Sequence, residues 1–201
     1  MQFSFKYRQF AEALYNALLE DAFYIAMEKA AEETDSPREA MLRYYEYSML
    51  ESEAYGMLHV PSDHACGVSV WSKPLDDRLE AKKSSEKKEF IRNFMGPNCL
   101  KTYIDIVNFM SEMAESVIGN NFWYLSIVGI APEFQGKGLG RGLLSDVLRH
   151  TDTLKVPTFL ETFTPRNMRF YERMGYKAAE SFFEPTTQSE YWIMIREPAP
   201  E

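Results

Sequence analysis

Cysteine is scarce. Cys66 and Cys99 are the two in 201 residues, too few and too isolated for a disulfide framework or a thiolate metal site. Both are expected to be reduced, and the chain is read as cytoplasmic. Histidine is as sparse: His59, His64 and His150 have no spacing that suggests metal ligation, so no metal is expected, and His150 is expected to complement the C-terminal end of its helix. Positive charge is short as well. Lys and Arg number 22 against 30 Asp and Glu, a net charge of −8. That argues against nucleic acid or an anionic membrane as the main partner and favours a cationic ligand. Long apolar runs are missing: Ser116–Pro132, the longest uncharged stretch, is interrupted by Gly119-Asn120-Asn121 and falls short of the roughly 20 residues of a membrane span. The opening residues carry charge where a signal peptide would place its apolar segment, so export is not expected.

What is present is ordinary globular material, 45% hydrophobic and 26% charged, without repeats or a low-complexity linker. One domain over residues 1–201 is the simplest account. Residues 1–55 read as helical. Leu14, Leu18, Ala22 and Ile25 share a face of a helix from about Phe10 to Glu33. Ser36, Pro37 and Glu39 then form a capping box for a helix that Gly56 stops. Met57–Val60 and Val68–Trp71 read as a hairpin around a Pro-Ser-Asp-His turn. A lysine-rich helix over Leu75–Phe94 is anchored by Leu79, Phe90, Ile91 and Phe94, its Lys82-Lys83 and Lys87-Lys88 pairs being read as a solvated face. Leu100, Ile104, Val107 and Ala114 mark a further helix ending near Gly119.

From residue 122 strands and helices alternate. Phe122–Ile130 is a strand, Gly138–His150 a helix and Pro157–Thr162 a strand. A short helix over Pro165–Met174 is capped by Thr164 and stopped by Gly175, and Tyr176–Phe183 and Ser189–Arg196 are the last strands. The class is α/β.

The informative segment runs from Val128 to Gly142. It leaves a buried strand and enters a helix through a run of glycines, which is how free N–H groups at a helix start come to bind an anion such as a pyrophosphate. It is not a P-loop, because Gly138 follows Lys137 where Ser or Thr should hold magnesium. Nor is it the dinucleotide fingerprint, because the third glycine would fall on Arg141. Gln135, Gly138 and Gly140 fit Gln-x-x-Gly-x-Gly. A tight connection with glycines for packing would give a similar run, but further residues follow in order: Phe159–Thr162, then Pro165-Arg166-Asn167, then Phe170–Tyr176.

Together these segments resemble motifs A and B of the GNAT superfamily of N-acetyltransferases, with the strongest likeness to the puromycin N-acetyltransferase branch over Trp123–Arg196 and again at Val68–Pro74. The resemblance implies a GNAT-type domain with a mixed, mostly antiparallel central sheet flanked by helices, residues 56–201 carrying the acetyl-CoA motifs and the helical residues 1–55 the acceptor side. It implies acetyl-CoA as cosubstrate, held by Val128, Ile130, Gln135, Gly136, Lys137, Gly138, Leu139, Gly140, Arg141 and Asn167. The implied reaction is direct attack of a free amine on the thioester in a ternary complex. Backbone N–H groups near Val128 and Ile130 would polarise the carbonyl, and Tyr171 would give a proton to the leaving sulfur. Glu161, at a strand end, is either the proton acceptor or an ion-pair partner. Tyr44, Tyr45, Tyr47, Tyr55 and Trp71 either line an aromatic acceptor pocket or belong to the core. The expected acceptor is a small amine, with the protein a monomer or homodimer. A non-catalytic acyl-CoA-binding module and a peptide N-acetyltransferase are the alternatives.

Overall fold

The computed structural model describes residues 5–31, 34, 36–61 and 66–199; all but Pro61 of the expected Pro-Ser-Asp-His turn, His64 included, and Glu33, the expected helix end, lie outside them. Seven α-helices and six strands occur among the described residues: α1 (Arg8–Ala17), α2 (Ala22–Ala30), α3 (Pro37–Tyr55), β1 (Gly56–His59), β2 (Gly67–Ser72), α4 (Asp77–Met95), α5 (Pro97–Val117), β3 (Trp123–Ile130), α6 (Gly140–Leu154), β4 (Thr158–Thr162), α7 (Pro165–Arg173), β5 (Lys177–Glu184) and β6 (Ser189–Arg196). The sheet runs β1-β2-β3-β4-β6-β5. Every neighbouring pair is antiparallel except β3 and β4.

The helices cover the sheet on both sides. Leu144 and Val147 of α6 and Tyr171 of α7 pack with Trp71, Trp123 and Leu125. Opposite them, Phe10 and Leu14 of α1, Met41, Tyr45 and Met49 of α3, and Ile91 of α4 pack with Val68, Val70 and Ile127, and Ile106 of α5 packs with Phe159 and Ile193. Trp123 and Leu125 therefore face one side while Ile127 faces the other, although their spacing of two should keep them together. A β-bulge explains it. Val70 pairs with Ile127 and Trp71 with Leu125, so Ser126 is an extra residue that reverses the facing of everything after it.

Several expectations need correction. The single helix from Phe10 is broken into α1 and α2, because Leu18 ends the first and the Asp21 side chain accepts the Phe23 N–H as N-cap of the second. Ile25, placed on the apolar face by periodicity, is 49% exposed. Ser36 caps α3 through the Glu39 N–H, but the Glu39 carboxylate pairs with Arg8 and Arg43 instead of returning to close a capping box. On α4, Phe90 and Ile91 are buried, but Leu79 and Phe94 are exposed. Lys87 is not solvated: it is buried, donates to Ser48 Oγ at 2.8 Å and stands 3.5 Å from Glu51. Thr164 occupies the cap position of α7 without a side-chain capping bond; the Thr162 hydroxyl takes the Thr164 N–H. α6 starts at Gly140 and continues to Leu154, so His150 lies within it and packs edge-on against Trp123, with ring centroids 5.7 Å apart.

Candidate active site

The bulge at Ser126 coincides with a parting of strands. β3 and β4 pair from Trp123↔Thr158 to Leu125↔Leu160 and no further, while β3 stays paired to β2 as far as Ile130. The Ala131 N–H donates to Cys66 O across the β2 side. Backbone groups alternate in direction along an antiparallel strand, so those of Gly129 and Ile127 face β2 as well, and those of Val128 and Ile130 face the gap that β4 has left. The Ile130 carbonyl accepts from the Gln135 side-chain amide at 2.9 Å.

The gap opens into a cavity of about 900 Å³ between the sheet and the N-terminal helices. Val128, Glu161, Asn167 and Tyr171 line it, brought there by β3, β4 and α7. Tyr171 is buried to 7% exposure, and burial, with Asp21 nearby, pushes its phenol above the ordinary range. Asn167 sits in the first turn of α7, its N–H donating to Thr164 O at 2.9 Å. Glu161 is half-buried, and its Oε1 is sealed from solvent without a hydrogen-bond partner. Burial pushes that carboxyl up to about 8, opposed by the Tyr124 hydroxyl.

The glycine loop lies outside the cavity. Gln135, Gly136, Lys137 and Gly138 are exposed, and Leu139 and Gly140 half-exposed, where the chain enters α6. Gly136 and Gly138 have φ of +74° and +79°, which disfavours any side chain there. Gly140 serves packing: a Cβ there would come within 2.9 Å of the Phe170 ring, so α6 and α7 meet at this glycine. Leu139 offers no side-chain cap to α6; the Gly142 N–H donates to Leu139 O at 3.1 Å, and the N–H groups before it have no partner within the helix. A strand edge without a sheet partner, leading to a helix start without a side-chain cap, can take an extended ligand that ends in an anion.

The sequence reading missed a second set of residues. Asp21, at the α1–α2 break, and Tyr24, Glu51, Lys87, Tyr103 and Tyr124 also line the cavity. Tyr44 lines it too, with Lys87 Nζ 4.6 Å from its ring centroid. Tyr45, Tyr47 and Trp71 are core residues. Asp21 was discoverable, since an Asp before an apolar helical run is a start signal; for Lys87 no local signal exists.

No cluster of three or more His, Cys, Asp and Glu that could hold a metal occurs among the described residues, and no helix among them is long and apolar enough to cross a membrane.

A six-stranded, mostly antiparallel sheet flanked by helices and parted between its two parallel strands is the fold of the GNAT acetyltransferases. The family described as acetyltransferase (GNAT) domain matches residues 103–178, a span that includes the glycine loop and Tyr171. Among solved structures, arylalkylamine N-acetyltransferase 2 from Aedes aegypti is 15% identical over 99% of this chain and 98% of its own, with a TM-score of 0.62. A protein described as histone acetyltransferase HPA2 and related acetyltransferase, from Corynebacterium glutamicum, is 19% identical over 97% and 92%, with a TM-score of 0.61. A polyamine N-acetyltransferase from Drosophila melanogaster is 13% identical over 76% and 79%, with a TM-score of 0.54. At these identities the likeness is one of fold.

Proposed function

We propose that the protein is an acetyl-CoA-dependent N-acetyltransferase that acetylates a primary amine of a small molecule by direct transfer. The observation that carries this reading is the Ser126 bulge: it turns the backbone of Val128 and Ile130 into the gap, and the gap leads to a cavity holding Tyr171 and Asn167. In this reading the pantetheine arm lies along the free edge of β3, and the pyrophosphate meets Gly136–Arg141 at the start of α6. Backbone N–H groups aimed at the thioester oxygen are preorganised donors, each contributing a few kcal/mol to the transition state.

The amine enters from the side of the N-terminal helices, among Tyr24, Tyr44 and Tyr103. Its lone pair forms the C–N bond as the C–S bond breaks, and Tyr171 protonates the departing sulfur. A raised phenol pKa keeps that proton on the oxygen until it is needed. Glu161, read from the sequence as either the proton acceptor or an ion-pair partner, lines the same cavity, but burial pushes its carboxyl up to about 8, so it is mostly protonated at pH 7. A small-molecule acceptor is supported by a cavity of about 900 Å³ and by fold neighbours named for arylalkylamine and polyamine substrates. The likeness to puromycin N-acetyltransferases rests on the motif residues alone. A reducing, cytoplasmic setting fits two buried cysteines that are not joined in a disulfide. The test is thiol release from acetyl-CoA across arylalkylamines, polyamines, aminoglycosides, aminonucleosides and short peptides. Turnover with small amines supports the reading, and turnover with peptides alone overturns it.

A further inference from the structure

The turn between α1 and α2 carries a carboxylate that this scheme leaves unused. We propose that Asp21 binds the acceptor's ammonium group and takes its first proton, so that the N-terminal helices supply the base for a reaction whose acid comes from α7. This rests on the acetyltransferase reading of the same cavity.

Position comes first. α1 lies against β3 at Gly129, where a Cβ would stand 2.9 Å from Leu14. Its C-terminal end therefore delivers Leu18 and Asp21 to the cavity beside Val128. Glu20, next to Asp21, pairs at the surface with Arg166 of α7 at 2.8 Å, so the turn lies beside the helix that carries Asn167 and Tyr171. Asp21 and Tyr171 are close enough for the carboxylate to bear on the phenol.

Chemistry follows. Asp21 Oδ1 accepts the Phe23 N–H at 3.1 Å. The titratable groups that face it are the hydroxyls of Tyr24 on α2, Tyr45 on α3 and Tyr171 on α7. No Lys or Arg among the described residues pairs with it. A sheltered carboxylate without a cation is incomplete, and a primary ammonium supplies both the charge and the donors. Burial pushes Asp21 up to about 6, opposed by the Phe23 and Tyr24 N–H groups. It is therefore mostly ionised at pH 7 yet basic enough to accept a proton, whereas Glu161 is mostly protonated there.

The step balances. Asp21 takes one proton from the ammonium and passes it to solvent. The freed lone pair forms the C–N bond, and the C–S bond breaks with its pair on sulfur. Sulfur takes the Tyr171 proton, and the proton shed by the new amide nitrogen restores the phenol.

Asp21→Asn is the discriminating variant, because Asn caps a helix about as well as Asp. The probe is phenethylamine or agmatine, whichever the wild type acetylates faster, titrated calorimetrically with coenzyme A saturating, and with 2-phenylethanol as an uncharged comparator. Asp21→Asn should weaken the amine at least tenfold, leave acetyl-CoA and 2-phenylethanol binding unchanged, and remove the rise in kcat/KM near pH 6. Amine affinity and pH profile equal to the wild type's would overturn the proposal and reduce Asp21 to a helix cap. Weakened acetyl-CoA binding would overturn it too, by showing a displaced turn. A wild type that acetylates neither these amines nor any of the wider panel defeats the acetyltransferase reading itself, before the variant is made.

Discussion

Gly129 of β3 lies directly beneath Leu14 of α1: a Cβ at position 129 would stand 2.9 Å from the Leu14 Cδ2 and 3.1 Å from the Ala17 Cβ. The approach of α1 to the sheet, and with it the placement of the α1–α2 turn at the cavity, depends on that missing side chain. Gly129→Val should destabilise the fold by about 1–3 kcal/mol through overpacking, read as a lower urea midpoint at unchanged slope. Because the displaced helix leads into the turn that carries Asp21, the amine KM should rise more than that of acetyl-CoA. Equal stability would mean that α1 shifts freely and does not position the turn.

Tyr171 is buried with its ring edge-on to Phe170 and Tyr176, so Tyr171→Phe keeps the packing and removes only the hydroxyl. Loss of a general acid typically lowers turnover about a hundredfold or more. Single-turnover kinetics should show that loss in kcat, with the acetyl-CoA dissociation constant unchanged. A variant as fast as the parent, with chemistry rate-limiting, would leave Tyr171 a packing residue.

Glu161 gives a stability prediction with a definite sign. Its folded-state pKa is raised from 4.5 to about 8, so between those values the native state binds more protons than the unfolded chain, and the group's contribution falls as pH rises through that window. Glu161→Gln removes this penalty. Relative to the wild type, the variant should gain on the order of 1 kcal/mol or more at pH 9 and show little difference at pH 4.5. Thermal denaturation across that range checks it; parallel curves would show that Glu161 ionises freely in the folded protein.

Gly136 and Gly138 take left-handed backbone angles with open space where a Cβ would be. Gly138→Ala therefore meets no neighbour, and its effect is conformational, costing roughly 1–2 kcal/mol. If the loop holds the pyrophosphate, the variant should lose most of the thermal stabilisation that acetyl-CoA gives the wild type, a gain of about 2.7 kcal/mol at a hundred times the dissociation constant. An undiminished ligand-induced shift would remove the loop from cofactor binding.

These residues also show where the sequence was readable. The glycine run, the strand before it and the helix after it are local features, and so are the Ser36 cap and the Gly56 stop, which the structure places at the ends of α3. The break at Asp21 carried a start signal in the Asp itself, but Leu14, Leu18, Ala22 and Ile25 keep the helical period across it and outweighed that signal. Lys87 was unreadable for another reason. Its partner Ser48 is 39 residues away on α3, and nothing in a lysine-rich stretch marks which lysine a distant glutamate will accept. The Ser126 bulge left no local mark either, since strand alternation looks unbroken until the β2 register is known. The half of the site on β3 and α7 was therefore legible, and the half built by packing of the N-terminal helices was not.

The most direct test of the account is to incubate the protein with acetyl-CoA and each member of the amine panel at pH 7.5 and to measure both free coenzyme A and the mass of the amine. The account predicts at least one small primary amine gaining a single acetyl group, in step with thiol release, and with Tyr171→Phe depressing both together. Tight acetyl-CoA binding with no acetylated amine from any class would contradict it and leave a module that binds the thioester without transferring it.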